Sequence, residues 1–302
     1  MSETILCNVC PHGCRLRPGD IGACGARGYF PDGLGWNEKY DGSRALKNNS
    51  TLPINYGITT SLALDPIEKK PLARFNPGSR ILSYGSFGCN LKCPFCQNYE
   101  ISMQSAGDYG STEREEAYVS PEELVKIALE CQSKGNIGVA FTYNEPLICY
   151  EYVIDTARLL RTHGLKTVLV TNGCANGEIA DQVLPWIDAL NIDLKSFRED
   201  VYAKILKGSL ETVKSFIEKA AKSCHVELTT LIVPGMNSDP KEMEEISRWI
   251  ASLDGGADIP LHVSRFFPRY KMSGAEPTGI ALVYELADVA RRNLNYVYTG
   301  NC

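Results

Sequence analysis

The stretch Arg80-Ile-Leu-Ser-Tyr-Gly-Ser-Phe-Gly-Cys89-Asn-Leu-Lys-Cys93-Pro-Phe-Cys96-Gln-Asn98 joins a short apolar run to a loop with three thiols within eight residues. The run at 80–85 reads as a strand. Three cysteines on the turn after it stand close enough to ligate three irons of one cubane without help from distant parts of the chain. No fourth cysteine follows at cluster spacing. One iron would then keep an open coordination position, as catalytic metal sites do and structural ones do not. A zinc knuckle, or a group of thiols merely buried, is the plainer alternative.

From residue 80 onward, β-rich runs alternate with helical patterns. Strands are predicted near 80–85, 137–142, 166–171, 188–194, 225–233 and 260–266, and helices near 121–134, 148–163, 176–186, 198–222, 240–253 and 278–292. Ser120-Pro121-Glu122-Glu123 is a well-formed helix start, with a serine cap, proline at the first position and glutamate at the third. Six strand–helix units in a row imply a parallel α/β sheet, either partly closed as a (β/α)6 barrel or wound on both sides.

Parallel folds place chemistry where the carboxyl ends of strands run into loops. Here those positions are polar: the cysteine loop, Tyr143-Asn144-Glu145-Pro146, Thr171-Asn172-Gly173, Asp193-Leu-Lys195, Pro234-Gly235-Met236-Asn237, and finally His262, Ser264 and Arg265. His262 beside Arg265 is a candidate for substrate or cofactor contact, although a lone strand histidine usually just makes a hydrogen bond. Asp193 and Lys195 are two apart on a strand, so they should point to the same face as a pair; a structural ion pair is the bland reading.

The first 35 residues lack periodicity and are rich in Gly, Pro and Cys, the composition of a module held by ligation. Cys7, Cys10, Cys14 and Cys24 supply four ligands, enough to close a metal site with no open position. Zinc and an auxiliary four-iron cluster both accept four thiolates, and a redox-active thiol group or an unmetallated module is the remaining reading. His12 within this loop is expected to be solvent-exposed. The expected division is a Cys-rich metal-binding module over 1–36, a short-strand connecting segment over 37–79 and the barrel core over 80–302. The module ends near Trp36, and turns at Asp41-Gly42, Asn48-Asn49 and Pro53 break the connecting segment. The charged run from Asp65 to Lys70 reads first as solvated surface. Cys131, Cys149 and Cys224 read as packing residues, whereas Cys174 follows a strand end and is a thiol to watch.

Composition narrows the function. The chain has 302 residues, 44% hydrophobic content, a formal charge of −5 and a pI near 5.5, with no broad basic field for a nucleic-acid backbone. The opening Met1-Ser2-Glu3-Thr4 has no basic-then-apolar leader pattern, and no run approaches the roughly 18 apolar residues of a membrane span. A cytoplasmic location is expected, with no membrane partner. Seven of the twelve cysteines are clustered, which in a reducing compartment means metal ligation rather than disulfides.

The triad Cys89-x3-Cys93-x-Phe95-Cys96 resembles the signature of the radical SAM superfamily, with its aromatic before the last cysteine. The resemblance implies a [4Fe-4S] cluster whose open iron chelates S-adenosylmethionine and whose electron generates a 5′-deoxyadenosyl radical. Phe141-Thr-Tyr-Asn-Glu-Pro146 is similar to the Gly-Gly-Glu-Pro segment of pyruvate formate-lyase activating enzymes, which implies that Asn144 and Glu145 receive the methionyl amino group. Here Tyr143 and Asn144 replace the two glycines. Phe95, Thr171, Asn172, Asp193, Lys195, Val233 and Pro234 correspond to the same cofactor pocket, with His262 beside them, and His262, Lys195 and Arg265 are the candidates for contact with substrate.

Over nearly the whole chain the sequence also resembles the radical SAM enzymes of the AmmeMemoRadiSam system. The shared marks are Cys7-x2-Cys10-Pro-His-Gly-Cys14, Asp65-Pro-Ile-Glu-Lys-Lys-Pro-Leu72 and His262-Val-Ser-Arg-Phe-Phe-Pro268. It implies a protein or peptide substrate, companion proteins as partners, and an external one-electron reductant such as flavodoxin or ferredoxin. It also lends the Asp65 run a docking or gating role. The alternatives are an iron–sulfur electron-transfer or sensing module, a radical SAM reaction on a small molecule or RNA, and, weakest, a zinc hydrolase.

Overall fold

The computed structural model describes residues 4–31, 51–106 and 117–302. Its main element is a sheet of eight strands: β1 (Ser61–Pro66), β2 (Arg80–Gly85), β3 (Asn136–Phe141), β4 (Lys166–Thr171), β5 (Ala189–Asp193), β6 (His225–Ile232), β7 (Leu261–Arg265) and β8 (Val297–Gly300). They lie side by side in chain order. β1 pairs antiparallel with β2, and every later pairing is parallel.

That sequential order decides between the two architectures open to the sequence. Every crossover steps in the same direction, and right-handed crossovers then put all the helices on one face of the sheet. The helices are α1 (Pro121–Glu130), α2 (Tyr150–Thr162), α3 (Gly177–Val183), α4 (Leu210–Ala221), α5 (Pro240–Ala251) and α6 (Ile280–Ala290). The other face is left to line a cleft, the arrangement of a partial barrel rather than of a sheet wound on both sides. Leu124, Val213, Ile217, Ile250 and Leu286 are fully buried on the helical side. Each such side chain contributes about 1.5–3 kcal/mol relative to exposure.

The six predicted strands are present, with the predicted cap on α1: Ser120 accepts from the backbone N–H of Glu123 at 3.2 Å. β8 was not expected, and β1, from the segment expected to hold short strands, joins the main sheet; the two form its edges. The single helix expected over 198–222 is two. Helical turns over 199–206 end at Lys207, which adopts φ +59°, and α4 restarts from Ser209, whose hydroxyl accepts from Thr212 N–H. Gly208 and the left-handed residue before it break the helix that periodicity alone would continue.

The segment after β1 folds beneath the amino ends of the strands. Asn191 of β5 donates to the Pro71 carbonyl at 2.7 Å, and Glu227 of β6 accepts from the backbone N–H groups of Ala73 and Arg74. The cleft is therefore floored at that end. Two short antiparallel pairs lie toward the N-terminus, Ile5–Leu6 with Arg15–Leu16, and Arg27–Gly28 with Leu52–Pro53, the second joining the stretch expected as a module to the segment expected to connect it. The expected module boundary near Trp36 and the turns Asp41-Gly42 and Asn48-Asn49 lie outside the described residues. Among the described residues, no helix is long and apolar enough to cross a membrane.

Candidate active site

β2 ends at Gly85, and the chain enters the cysteine loop through Gly88, which has φ +85°. A Cβ there would stand 2.8 Å from both the Ala26 side chain and the Cys24 carbonyl, so only glycine lets the loop lie against the N-terminal module. Leu91 N–H points at the Cys89 sulfur over 3.4 Å. Cys89, Cys93 and Cys96, with Phe95, line a cavity of about 260 Å³ at the carboxyl ends of the strands.

The donor set fits an iron–sulfur cluster. Burial opposes ionisation of these thiols, raising Cys89 well above the ordinary range and Cys93 to about 11 even with Lys195 nearby. Thiols of this kind become thiolates when metal charge replaces the proton. Among the described residues no three or more His, Cys, Asp or Glu side chains gather tightly enough to share one ion. Three thiols on one turn are the number of protein ligands that a cubane with one open iron takes.

Beside the cysteine loop, Glu145 sits at the turn after β3, and its backbone N–H donates to the Gly88 carbonyl at 3.3 Å. Its carboxylate accepts from Thr171 Oγ1 at 2.6 Å, from Asn172 N–H at 2.8 Å and from Leu147 N–H at 3.0 Å. Burial pushes its pKa up to about 7, and those three donors restrain the rise. Asn172 also donates to Asn90 Oδ1 at 2.9 Å and approaches the Cys89 sulfur at 3.6 Å, linking the carboxylate to the cysteine loop. Asp193 and Lys195 form the expected same-face pair at 2.9 Å, and both line the cavity. Burial works against the Lys195 charge, but Asp193 outweighs it and the ammonium is held above its ordinary range.

Tyr143 occupies the position of a glycine in the family segment and still adopts a glycine-like backbone, φ +74°. Its carbonyl accepts from Asn98 and Ser102, and its hydroxyl donates to Asp65 at 2.8 Å. Asn144 lines the cavity, yet its amide serves the loop backbone: Oδ1 accepts from Ser86 N–H, and Nδ2 donates to the carbonyls of Phe87 and Gly88. The Asp65 run is not solvated surface throughout. Asp65 and Lys70 are buried and joined at 2.9 Å, while Glu68 and Lys69 are exposed. Asp65 also accepts from Ser83, so half of the charge run is a buried bracket behind Tyr143.

Four expected pocket residues lie elsewhere. β7 begins at Leu261, which puts His262 at the amino end of its strand, buried against Glu227 at 2.6 Å and stacked on Tyr298. Ser264, two residues on, reaches the cavity instead. Arg265 has the opposite parity and donates to the Thr278 carbonyl at 2.7 Å. The chain turns after Ile232: Val233 N–H donates to Asn237 Oδ1, which buries Val233 and leaves Pro234 exposed, while Thr229 and Leu231 form the wall. Alternation along β6 was the signal for those two. Cys174 is buried to 1% and burial raises its thiol to about 11, the profile of a packing residue. His12 is half-buried rather than exposed, and its Nε2–H donates to the Asn90 carbonyl at 2.7 Å.

Comparison with known proteins follows the same loop. Residues 84–250, more than half of the chain, match the family described as the Radical SAM superfamily. The chain is 35% identical over 299 residues to an uncharacterised protein of Methanocaldococcus jannaschii, covering 98% of this chain and 81% of that one. It is 23% identical over 218 residues to the pyruvate formate-lyase-activating enzyme of Clostridium pasteurianum, covering 70% of this chain and 84% of the enzyme. Streptococcus suis SuiB, solved bound to S-adenosylmethionine, shares the fold with a TM-score of 0.53 and 13% identity over 71% of this chain and 48% of SuiB.

Proposed function

Because this chain belongs to the radical SAM superfamily, and is thus a radical SAM enzyme with a [4Fe-4S] cluster and S-adenosylmethionine as cofactors, we propose that it works as activating enzymes do, taking hydrogen from a protein or peptide. Cys89, Cys93 and Cys96 would hold three of the irons. When bound, the cluster supplies one electron that breaks the carbon–sulfur bond of S-adenosylmethionine, giving methionine and a 5′-deoxyadenosyl radical.

The observation that carries the proposal is the three-thiol loop lining a cavity whose wall also holds a buried, donor-ringed carboxylate. Glu145 offers negative charge to an amino group, and Thr171 with Asn172 keeps that carboxylate aimed. Lys195 is a charged donor opposite, held by Asp193. Phe95, Leu91 and Leu231 on the wall keep water from a reactive species. Asn144 keeps the loop seated through Phe87 and Gly88. The activating-enzyme relatives support a protein or peptide as substrate.

The companion proteins of the AmmeMemoRadiSam system are candidate partners or targets, and flavodoxin or ferredoxin a candidate electron source. Twelve free cysteines are in keeping with a reducing, cytoplasmic setting. Anaerobic incubation of iron-reconstituted protein with dithionite and S-adenosylmethionine tests the chemistry; absence of 5′-deoxyadenosine defeats it. Mass spectrometry of proteins captured anaerobically tests the substrate, and deoxyadenosine formation without any modified residue would refute the protein-directed reading.

A further inference from the structure

Four of the thiols outside the cavity are neighbours in the N-terminal stretch and have no part in that reaction: Cys7, Cys10 and Cys24 are buried and Cys14 is half-buried. Each sulfur is met by a donor. Thr51 Oγ1 donates to Cys7 at 3.5 Å and Ala23 N–H to Cys14 at 3.4 Å. The backbone N–H of His12 serves Cys10, and those of Ala26 and Arg27 serve Cys24. A protonated thiol is a weak acceptor, so donors aimed at all four sulfurs are poorly used unless the sulfurs carry charge. The backbone donor two residues after the cysteine recurs at Cys10, at Cys24 and at Cys89, the first cysteine of the active-site triad.

The four also belong together. Cys10 interacts electrostatically with Cys7 and Cys24, Cys24 with Cys7, and Cys7 N–H donates to the Cys14 carbonyl at 2.9 Å. A balancing cation stands beside them. The Arg27 guanidinium is 3% exposed, paired through both ends with Glu151, and close enough to Cys7 and Cys24 to interact with their charge.

This group is tied to the cysteine loop of the active site. The Cys24 carbonyl accepts from Cys89 N–H at 3.1 Å, and Gly88 lies against the same carbonyl. His12, two residues from Cys10, donates to the Asn90 carbonyl, and Asn176 beyond β4 donates to the carbonyls of Asn8 and Val9. We propose that Cys7, Cys10, Cys14 and Cys24 hold a second metal centre, fully ligated by thiolate, whose ligation fixes the backbone on which Cys89 stands. Four thiolates leave no open position, so the centre is structural. Its chemistry suits zinc or an iron–sulfur cluster.

Metal analysis of the anaerobically purified full chain carrying Cys89→Ala, Cys93→Ala and Cys96→Ala together is the first test. We expect residual metal, either about four irons with sulfide or about one zinc per chain; a folded variant holding neither overturns the site. The second test is electron paramagnetic resonance of the reduced active-site cluster in His12→Ala and Cys24→Ser, with and without S-adenosylmethionine. Both should shift or broaden the signal, and Cys24→Ser should also lose the second metal. A wild-type spectrum in His12→Ala refutes the coupling even if Cys24→Ser fails to fold.

Discussion

The hydroxyl of Tyr143 donates to Asp65 across 2.8 Å, and through that bond a buried bracket from the floor of the sheet braces a left-handed residue on the cavity wall. Asp65 is shared by Lys69, Lys70 and Ser83. Burial opposes its charge, but these donors hold its carboxyl far below the usual range. Removing one donor and removing the acceptor should therefore differ. Tyr143→Phe should cost about 1 kcal/mol, whereas Asp65→Ala leaves the Lys70 ammonium buried without its partner and should cost about 3–5 kcal/mol. Urea unfolding of both variants checks the order.

Glu145 titrates near neutrality because burial lifts it to about 7. An ammonium ligand needs the ionised form, so affinity for S-adenosylmethionine should strengthen as pH rises, by about fivefold between pH 6 and 7. The ligand-free protein should show the opposite sign. With the folded pKa raised, stability from this group is present below about pH 4.3 and declines as pH climbs toward 7. Glu145→Gln should flatten the binding profile in a pH series of equilibrium titrations.

Glu227 carries the reverse signature. His225, His262 and two backbone N–H groups outweigh its burial and hold it at about 2. Its contribution is present above the unfolded value of about 4.3 and is lost as pH falls toward 2, on the order of 2–3 kcal/mol. Glu227→Gln should remove that part of the acid limb in thermal melts between pH 5 and 2.

The two cysteine groups should separate by what each loses. Cys93→Ala should abolish deoxyadenosine formation, at least a hundredfold on the scale of lost metal function, while circular dichroism stays near wild type. Cys10→Ala should act chiefly on the N-terminal module, seen as earlier proteolysis of residues 4–31. Iron and zinc assays on both variants are the check. Equal iron loss from the two would exclude zinc at the quartet.

The sequence alone was enough for everything that depends on short chain separation. Three thiols within one turn line one cavity together, Asp193 and Lys195 share a face because two residues complete a strand period, and Ser120 caps α1 through its own third neighbour. Apolar periodicity was likewise enough for six strands and for the intervening helices other than the one broken at Lys207 and Gly208. Tertiary structure decided whatever turned on a single residue of register or on a distant partner. His262 shares the parity of cavity-lining Ser264 but stands two residues earlier, where Glu227 of the adjacent strand takes it at the floor, and Arg265, of opposite parity, turns to the Thr278 carbonyl. His12 looks like a surface group until distant chain supplies the Asn90 carbonyl, and the neighbouring Asp65 and Lys70 look like surface charges until Tyr143 covers the pair. Burial and long-range hydrogen bonding are properties of the packed chain, and no local pattern contains them.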